Sequence, residues 1–393
     1  MQPLKGITVV TLEHAIAAPF ATRQLADLGA RIIKIERPGV GDFARGYDQR
    51  ARGLASHFVW TNRSKESLTL DVKHPQAQSL LMQLILEQAD VVVQNLAPGA
   101  ADRLGLSYAA LSAIKPGIIV CDISGYGADG PYRDKKAYDL LIQSEAGFVS
   151  VTGTEETPSK GGTSVADIAA GMYAYTNILA ALMHRQQTGQ GQRIDISMLE
   201  SLGEWMSYPM YYAMDGAAPP PRTGASHATI YPYGPFPAGD GRTVMFGLQN
   251  EREWAVFCEK VLLQPALAKD ERFNTNAKRS ADRATVHALI TQAFKDLSAE
   301  QAVQRLDEAQ IANARVNTMH EVWEHPQLAA RQRWTEVDSA AGPLPALLPP
   351  GSWDVSLPRM DAVPSLGQHT DALLAELGQS ADQIAALRAA GAI

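Results

Sequence analysis

Over the first two hundred residues, short β-branched runs alternate with segments whose apolar side chains recur every three or four positions. Positions 7–12 (ITVVTL) predict a strand, 18–28 a helix closed by Gly29, and 31–35 (RIIKI) a second strand. Positions 75–88 have helical spacing, and 90–94 (DVVVQ) and 118–123 (IIVCDI) read as further strands. From 168 to 183 the larger apolar side chains (Ile168, Met172, Tyr175, Leu179, Leu182, Met183) keep the period of a helix with one buried face. His184 and Arg185 suit its last turn, Gly189 or Gly191 can end it, and 193–198 then alternates as a strand. Strand–helix–strand alternation predicts an α/β fold whose parallel sheet is covered on both faces. Ligands of such sheets collect at the carboxyl ends of strands, which singles out the loops 13–19, 36–42, 95–103 and 124–132.

Beyond residue 215 the pattern changes. A proline-rich break, GAAPPPR (216–222), is followed by charge-rich helical stretches between 250 and 320. A second break, GPLPALLPPG (342–351), precedes a tail and a last helix around 371–377. This predicts a large domain over 1–215, a linker over 216–225, a smaller domain over 226–330, and a tail over 331–393 that returns to the large domain.

The chain has 393 residues, 46% of them hydrophobic and 20% charged, which fits a soluble globular protein of more than one domain. A net charge of −7 argues against nucleic acid as principal partner, although a small anion needs only a local basic pocket. Cys121 and Cys258 supply neither a disulfide framework nor metal-ligand spacing. The N-terminus lacks the basic–apolar–small arrangement of a signal peptide, so a cytoplasmic location is expected. The longest apolar stretch is the 168–183 helix, and Asp167, Thr176 and Asn177 mark it as a core helix rather than a membrane span. No G-x-G-x-x-G follows the first strand, and P-loop, zinc and G-x-S-x-G patterns are absent.

Asp167 stands at the mouth of that helix. An aspartate there is ordinarily an N-cap, its oxygen accepting from free backbone N–H groups. The same position also suits a nucleophilic carboxylate, because a helix N-terminus favours the anion.

The blocks GITVVTLEHAIAAP, LADLGARIIKIERPGVGDFAR, LTLDVKHP, ADVVVQNLAPGAADRLGL, ISGYGADGPY…AYD, SVADIAAGM and RQQTGQGQRIDISML resemble, in order and register, those of family III CoA-transferases. Formyl-CoA transferase, carnitine CoA-transferase and α-methylacyl-CoA racemase belong to that superfamily. The resemblance runs through residues 5–200 and more loosely through 227–242 to 325–331. It implies a Rossmann-like large domain and a smaller α+β domain in an interlocked homodimer, with the site between the large domain of one chain and the small domain of the other. The substrates it implies are an acyl-CoA and a small carboxylic acid, with no permanently bound cofactor, metal, nucleic acid or membrane.

The family's nucleophilic aspartate falls on Asp167. The implied cycle passes through an aspartyl–acyl anhydride, an aspartyl-CoA thioester and a second anhydride. The CoA site carries over to His14, Ala15 and Ala17 after the first strand, and to Arg37 after the second. It continues through Leu70, Asp71, Val72 and Lys73, then Asn95, Leu96, Ala97 and Arg103, and finally Lys136, Ala137, Tyr138 and Asp139. Arg37 and Lys73 would pair with CoA phosphates.

Departures narrow the substrate. Ile16 replaces the glutamine of the formyl-CoA branch, and that branch's glycine-rich flap is missing around RTGASHATIYPYG, which counts against oxalate and formate. The racemase histidine falls on Tyr138, a poor proton-exchange partner near neutrality, so an isomerase (a racemase or an intramolecular transferase) is the alternative. SHATIYPYGPF resembles the branch handling succinate, itaconate, mesaconate and citramalate, with succinyl-CoA the expected donor. Ile16, Arg45, His227 and Tyr231 are the candidates for contact with the acid.

Overall fold

The computed structural model describes residues 1–351 and 353–393, which divide into two compact units. The first contains Met1–Gly147, Gly161–Ser207 and Leu328–Ile393; the second contains Phe148–Lys160 and Tyr208–Gln327. Segment 148–160 therefore leaves the first unit, and the proline-rich stretch 216–222 lies inside the second, where the sequence predicted a linker.

The first unit is built on a six-stranded parallel sheet in the order β3-β2-β1-β4-β5-β6. Its strands are β1 (Thr8–Leu12), β2 (Arg31–Glu36), β3 (Lys65–Thr69), β4 (Val91–Gln94), β5 (Ile119–Ser124) and β6 (Arg193–Ser197). Val9, Val10, Ile32, Ile33, Val91, Val92, Val93, Ile119 and Val120 are fully buried, as a sheet covered on both faces requires. The chain leaves β1 in one direction and β4 in the other, so β1 and β4 flank the switch point of a doubly wound fold, the place where such folds take their ligands.

Helix α1 (Ala17–Asp27) covers one face together with the long helix Val165–Thr188. The two approach so closely that a Cβ on Gly171 would lie 2.7 Å from the Ala17 carbonyl oxygen and 2.9 Å from the Phe20 ring. Val165–Thr188 is long and apolar enough to cross a membrane, yet Ala166, Ala169, Ala170, Ala174, Ile178, Ala181 and Leu182 are buried within the protein, which makes it a core helix. On the other face the helix Pro75–Gln88 packs with the C-terminal helices Thr370–Glu376 and Ala381–Ala389, through Leu80, Leu81, Leu84, Leu373, Leu374 and Leu387. The tail is tied to the sheet by polar bonds as well: Ser67 N–H donates to His369 Nδ1 (3.0 Å) and Asp71 N–H to the Ala392 carbonyl (2.8 Å).

The stretch 342–351 is not a simple break, because Leu344–Leu347 pairs antiparallel with Trp334–Val337. Pro345 is accommodated because a two-stranded ribbon leaves one side of each strand free. The second unit carries an antiparallel sheet of Tyr233–Pro237, Thr243–Gly247 and Asn313–Arg315. Its core of Phe236, Phe246, Trp254, Phe257, Phe273 and Phe294 is closed by the helices Arg283–Phe294 and Ala299–Glu308.

Candidate active site

Asp167 is the third residue of the helix Val165–Thr188, so it does not cap it. Asp139, the first residue of the helix Asp139–Glu145, reaches across to do so. Its Oδ1 accepts from the N–H groups of Ala166 (2.8 Å) and Asp167 (3.2 Å), and its Oδ2 from Gln143 Nε2 (2.6 Å). The capping expectation fails because a residue distant in sequence supplies the acceptor. Both carboxylate oxygens of Asp139 are thus engaged within the chain.

The consequence falls on Asp167. Its carboxylate is half-buried and no side chain or backbone donor among the described residues bonds it. Burial, together with the negative charge of Asp139, pushes it up to about 7. This reverses the expectation that the helix N-terminus would hold the anion, since the amides that favour an anion are spent on Asp139.

The loop after β1 closes on the same region. Asn95, at the end of β4, clamps its backbone in both directions: Oδ1 accepts from His14 N–H and Nδ2 donates to the His14 carbonyl, both at 2.9 Å. Ala15 sits in the left-handed region at φ 62°, and Ala17 opens α1. The His14 ring stacks on Phe43 at 4.7 Å, and Phe43, Tyr47 and His57 extend the aromatic run. Phe43 and Tyr47 are half-exposed. Burial raises the Tyr47 hydroxyl, and the charges of Asp42 and Asp167 raise it further, which places this ring in the electrostatic reach of Asp167.

Beneath these loops lies a charge cluster that sequence reasoning missed. Glu13, Lys34, Asp42, Asn62 and Lys65 are all buried. Lys65 Nζ donates to Glu13 (2.6 Å) and Asn62 (3.1 Å), and Lys34 Nζ donates to Asp42 (2.6 Å) and Asn62 (3.0 Å). The second Glu13 oxygen accepts from Thr11 (2.9 Å) and Thr22 (2.7 Å). The visible signal was a lysine in the middle of the second strand run, RIIKI, and a glutamate directly after the first, ITVVTL.

Of the CoA candidates, Arg37, Lys73, Arg103 and Lys136 are exposed, and none is ion-paired among the described residues. They follow β2, β3, β4 and β5 respectively, Arg103 closing the short helix Ala100–Arg103, so a chain of net charge −7 places exposed cations beyond the carboxyl ends of four strands. Leu70 is buried in the core, Val72 and Leu96 pack partly against it, and Asp71 turns back to accept from Lys73 N–H (3.1 Å). Ala97 is exposed, and Ala137 fills the space beside Gly125, where an added Cβ would lie 2.2 Å from its own. Tyr138 is 71% exposed at the mouth of the Asp139 helix.

The acid-contact candidates are less free. Arg45 is bidentate with Glu36 (2.8 and 2.7 Å), and its guanidinium lies 3.7 Å over the Phe58 ring. Ile16 is buried, and its side chain offers no surface to a substrate. In the second unit His227 Nδ1 accepts from Thr229 and Ile230 N–H (3.2 and 3.1 Å), while Tyr231 is 4% exposed beneath Arg283.

The first unit thus carries a doubly wound sheet, a half-buried carboxylate in the first turn of a helix, and exposed cations that follow the strand ends. The sequence profile of CoA-transferase family III matches residues 4–370. The chain belongs to this family. It is therefore an enzyme, a CoA-transferase with acyl-CoA and carboxylate substrates. The transferase is 33% identical over 386 residues to the succinate–glutarate CoA-transferase of Agrobacterium fabrum, covering 95% of this chain and 96% of that one. It is 31% identical over 401 residues to the succinyl-CoA–D-citramalate CoA-transferase of Chloroflexus aurantiacus, covering 99% and 97%. A crystal structure of a CAIB/BAIF family protein from Brucella suis superposes with a TM-score of 0.84 at 34% identity, over 95% of this chain and 99% of that one.

Proposed function

We propose that the enzyme transfers CoA from succinyl-CoA to a five-carbon dicarboxylic acid such as glutarate, itaconate, mesaconate or citramalate. The observation that carries this reading is the half-buried carboxylate of Asp167, bonded by no donor among the described residues, in a unit whose strand ends are followed by the exposed cations Arg37, Lys73, Arg103 and Lys136. The names of the Agrobacterium and Chloroflexus relatives, with five-carbon diacids paired to succinate or succinyl-CoA, support the substrate class.

In the proposed cycle the Asp167 carboxylate attacks the thioester carbonyl, expelling CoA thiolate and forming an aspartyl–succinyl anhydride. The thiolate then attacks the aspartyl carbonyl, releasing succinate and leaving an aspartyl-CoA thioester. The acceptor carboxylate attacks that thioester and expels the thiolate again. The thiolate finally takes the acyl group from the second anhydride, so that Asp167 returns as its anion and no proton is consumed. A carboxylate needs no general base for this, and its weakened acidity makes the anion the stronger nucleophile once formed. Desolvation opposes the anion at rest and strengthens its attack, which is the reason for a half-buried acid here.

The working form we propose is an interlocked, cytoplasmic homodimer with no permanently bound cofactor. Tyr208, Met210, Tyr211, Tyr212 and Met214 form an exposed apolar run that a second copy would cover.

A mass-spectrometric screen of donor–acceptor pairs tests the reading, with succinyl-CoA and glutarate, itaconate, mesaconate, citramalate or oxalate. Oxalate is included because Ile16, whose identity counted against it, is buried. Transfer to a five-carbon diacid without ATP is expected. Deuterium wash-in at an α-carbon without any acceptor would replace transfer by racemisation, and CoA exchange within one diacid would replace it by an intramolecular transfer.

A further inference from the structure

The reaction above uses neither Lys34 nor Asp42, yet both are fully buried and bonded to each other. We propose that Asp42 is a positioning residue, with Lys34 as its counter-ion, that holds the Ala15 kink beside the nucleophile. The proposal rests on the reading that the loop 14–17 borders the CoA thioester.

Asp42 Oδ2 takes the Lys34 ammonium at 2.6 Å, while Oδ1 accepts from Ala15 N–H (3.1 Å) and Ala44 N–H (2.9 Å). One carboxylate therefore ties the kink to the turn that carries Phe43 and Tyr47. Ala15 needs such a tie, because its Cβ disfavours the left-handed conformation that glycine adopts freely. The kink in turn determines where α1 begins. Ile16 is the residue before its first turn, and the amides of Ile16, Ala17 and Ala18 find no partner among the described residues. The Ala17 carbonyl meets Gly171, one helical turn beyond Asp167, so a shift of the loop is passed to the helix that bears the nucleophile.

Charge balance explains the lysine. Glu13 and Asp42 face Lys34 and Lys65 within one buried cluster, so the anion at Asp42 survives burial. Burial alone would raise Asp42, and Lys34 more than reverses this with help from the surrounding donors. Arg45 and Glu36 flank the cluster but are bonded to each other rather than to Asp42 oxygens.

Two double variants separate positioning from mere stability. Lys34→Met with Asp42→Asn and Lys34→Met with Asp42→Ala both leave Glu13 and Lys65 balanced. Only the asparagine keeps an acceptor for the Ala15 and Ala44 amides. Using the pair selected by the screen, the asparagine double should turn over within about threefold of wild type. The alanine double should be about 100-fold slower, with the loss in kcat rather than in KM for the acid. Equal turnover in two folded doubles overturns the proposal. Should either double fail to fold, amide exchange in the wild type decides: without CoA, Ala15 should exchange slowly while Ile16 and Ala17 exchange fast. An Ala15 amide as fast as theirs overturns the proposal. Added succinyl-CoA should slow Ile16 and Ala17; their failure to respond would remove the CoA reading of this loop, while the doubles still decide what Asp42 does.

Discussion

Replacing Asp167 by asparagine should abolish turnover and make the protein more stable at alkaline pH. The carboxyl stands near 7 in the folded chain against an ordinary 3.8. The difference of about 3 units corresponds to ~4 kcal/mol at 1.36 kcal/mol per unit. Partial solvent access roughly halves it, leaving ~2 kcal/mol. The sign follows from linkage: the unfolded chain ionises at the lower value and the folded chain resists. Stability is therefore lost as pH rises from about 4 to about 7 and stays lost above. The asparagine variant has nothing to ionise at this position. Its melting temperature should match the wild type near pH 4 and exceed it by about 2 °C at pH 8. Scanning calorimetry at the two values, beside a turnover assay, measures both effects. An asparagine variant no more stable than wild type at pH 8 would refute the claim that Asp167 is a strained, desolvated acid held for chemistry.

The same acid should control the pH profile. Since the proposed cycle uses only its anion, kcat/KM should rise from pH 5 to 8 with a midpoint near 7, and Asp139→Asn should move that limb to lower pH. Arg37→Gln and Lys73→Gln should each raise KM for the acyl-CoA about tenfold and leave kcat nearly unchanged; a fall in kcat alone would contradict a phosphate role. Gly171→Ala should cost about 1–3 kcal/mol, read by thermal melting, because its methyl group meets the Ala17 carbonyl and the Phe20 ring.

The central strands were legible because a sheet buried on both faces demands continuous β-branched runs, and 7–12, 31–35 and 90–94 supply them. The helix Pro75–Gln88 was legible to the residue, since a proline opens it and its apolar period is clean. Strand β3 (KESLT) was not predicted: Glu66 pairs with Arg31 and Lys65 with Glu13, so its polar residues are stabilised by partners far away in sequence. The last helix, Ala381–Ala389, was missed for want of large apolar residues, Ile384 and Leu387 being the pair that buries. Asp167 could be located from its block, but its state could not, because Asp139 lies 28 positions away. Asp42 was invisible for the same reason, its partners Lys34, Ala15 and Ala44 meeting only in the folded loop.

The central claim is that Asp167 becomes covalently loaded during turnover. Trapping the enzyme with hydroxylamine during reaction with succinyl-CoA, followed by peptide mass spectrometry, tests it directly. A hydroxamate on the peptide carrying Asp167, formed only when acyl-CoA is present, is the predicted result. An unmodified Asp167 in enzyme trapped at steady-state turnover would contradict the account.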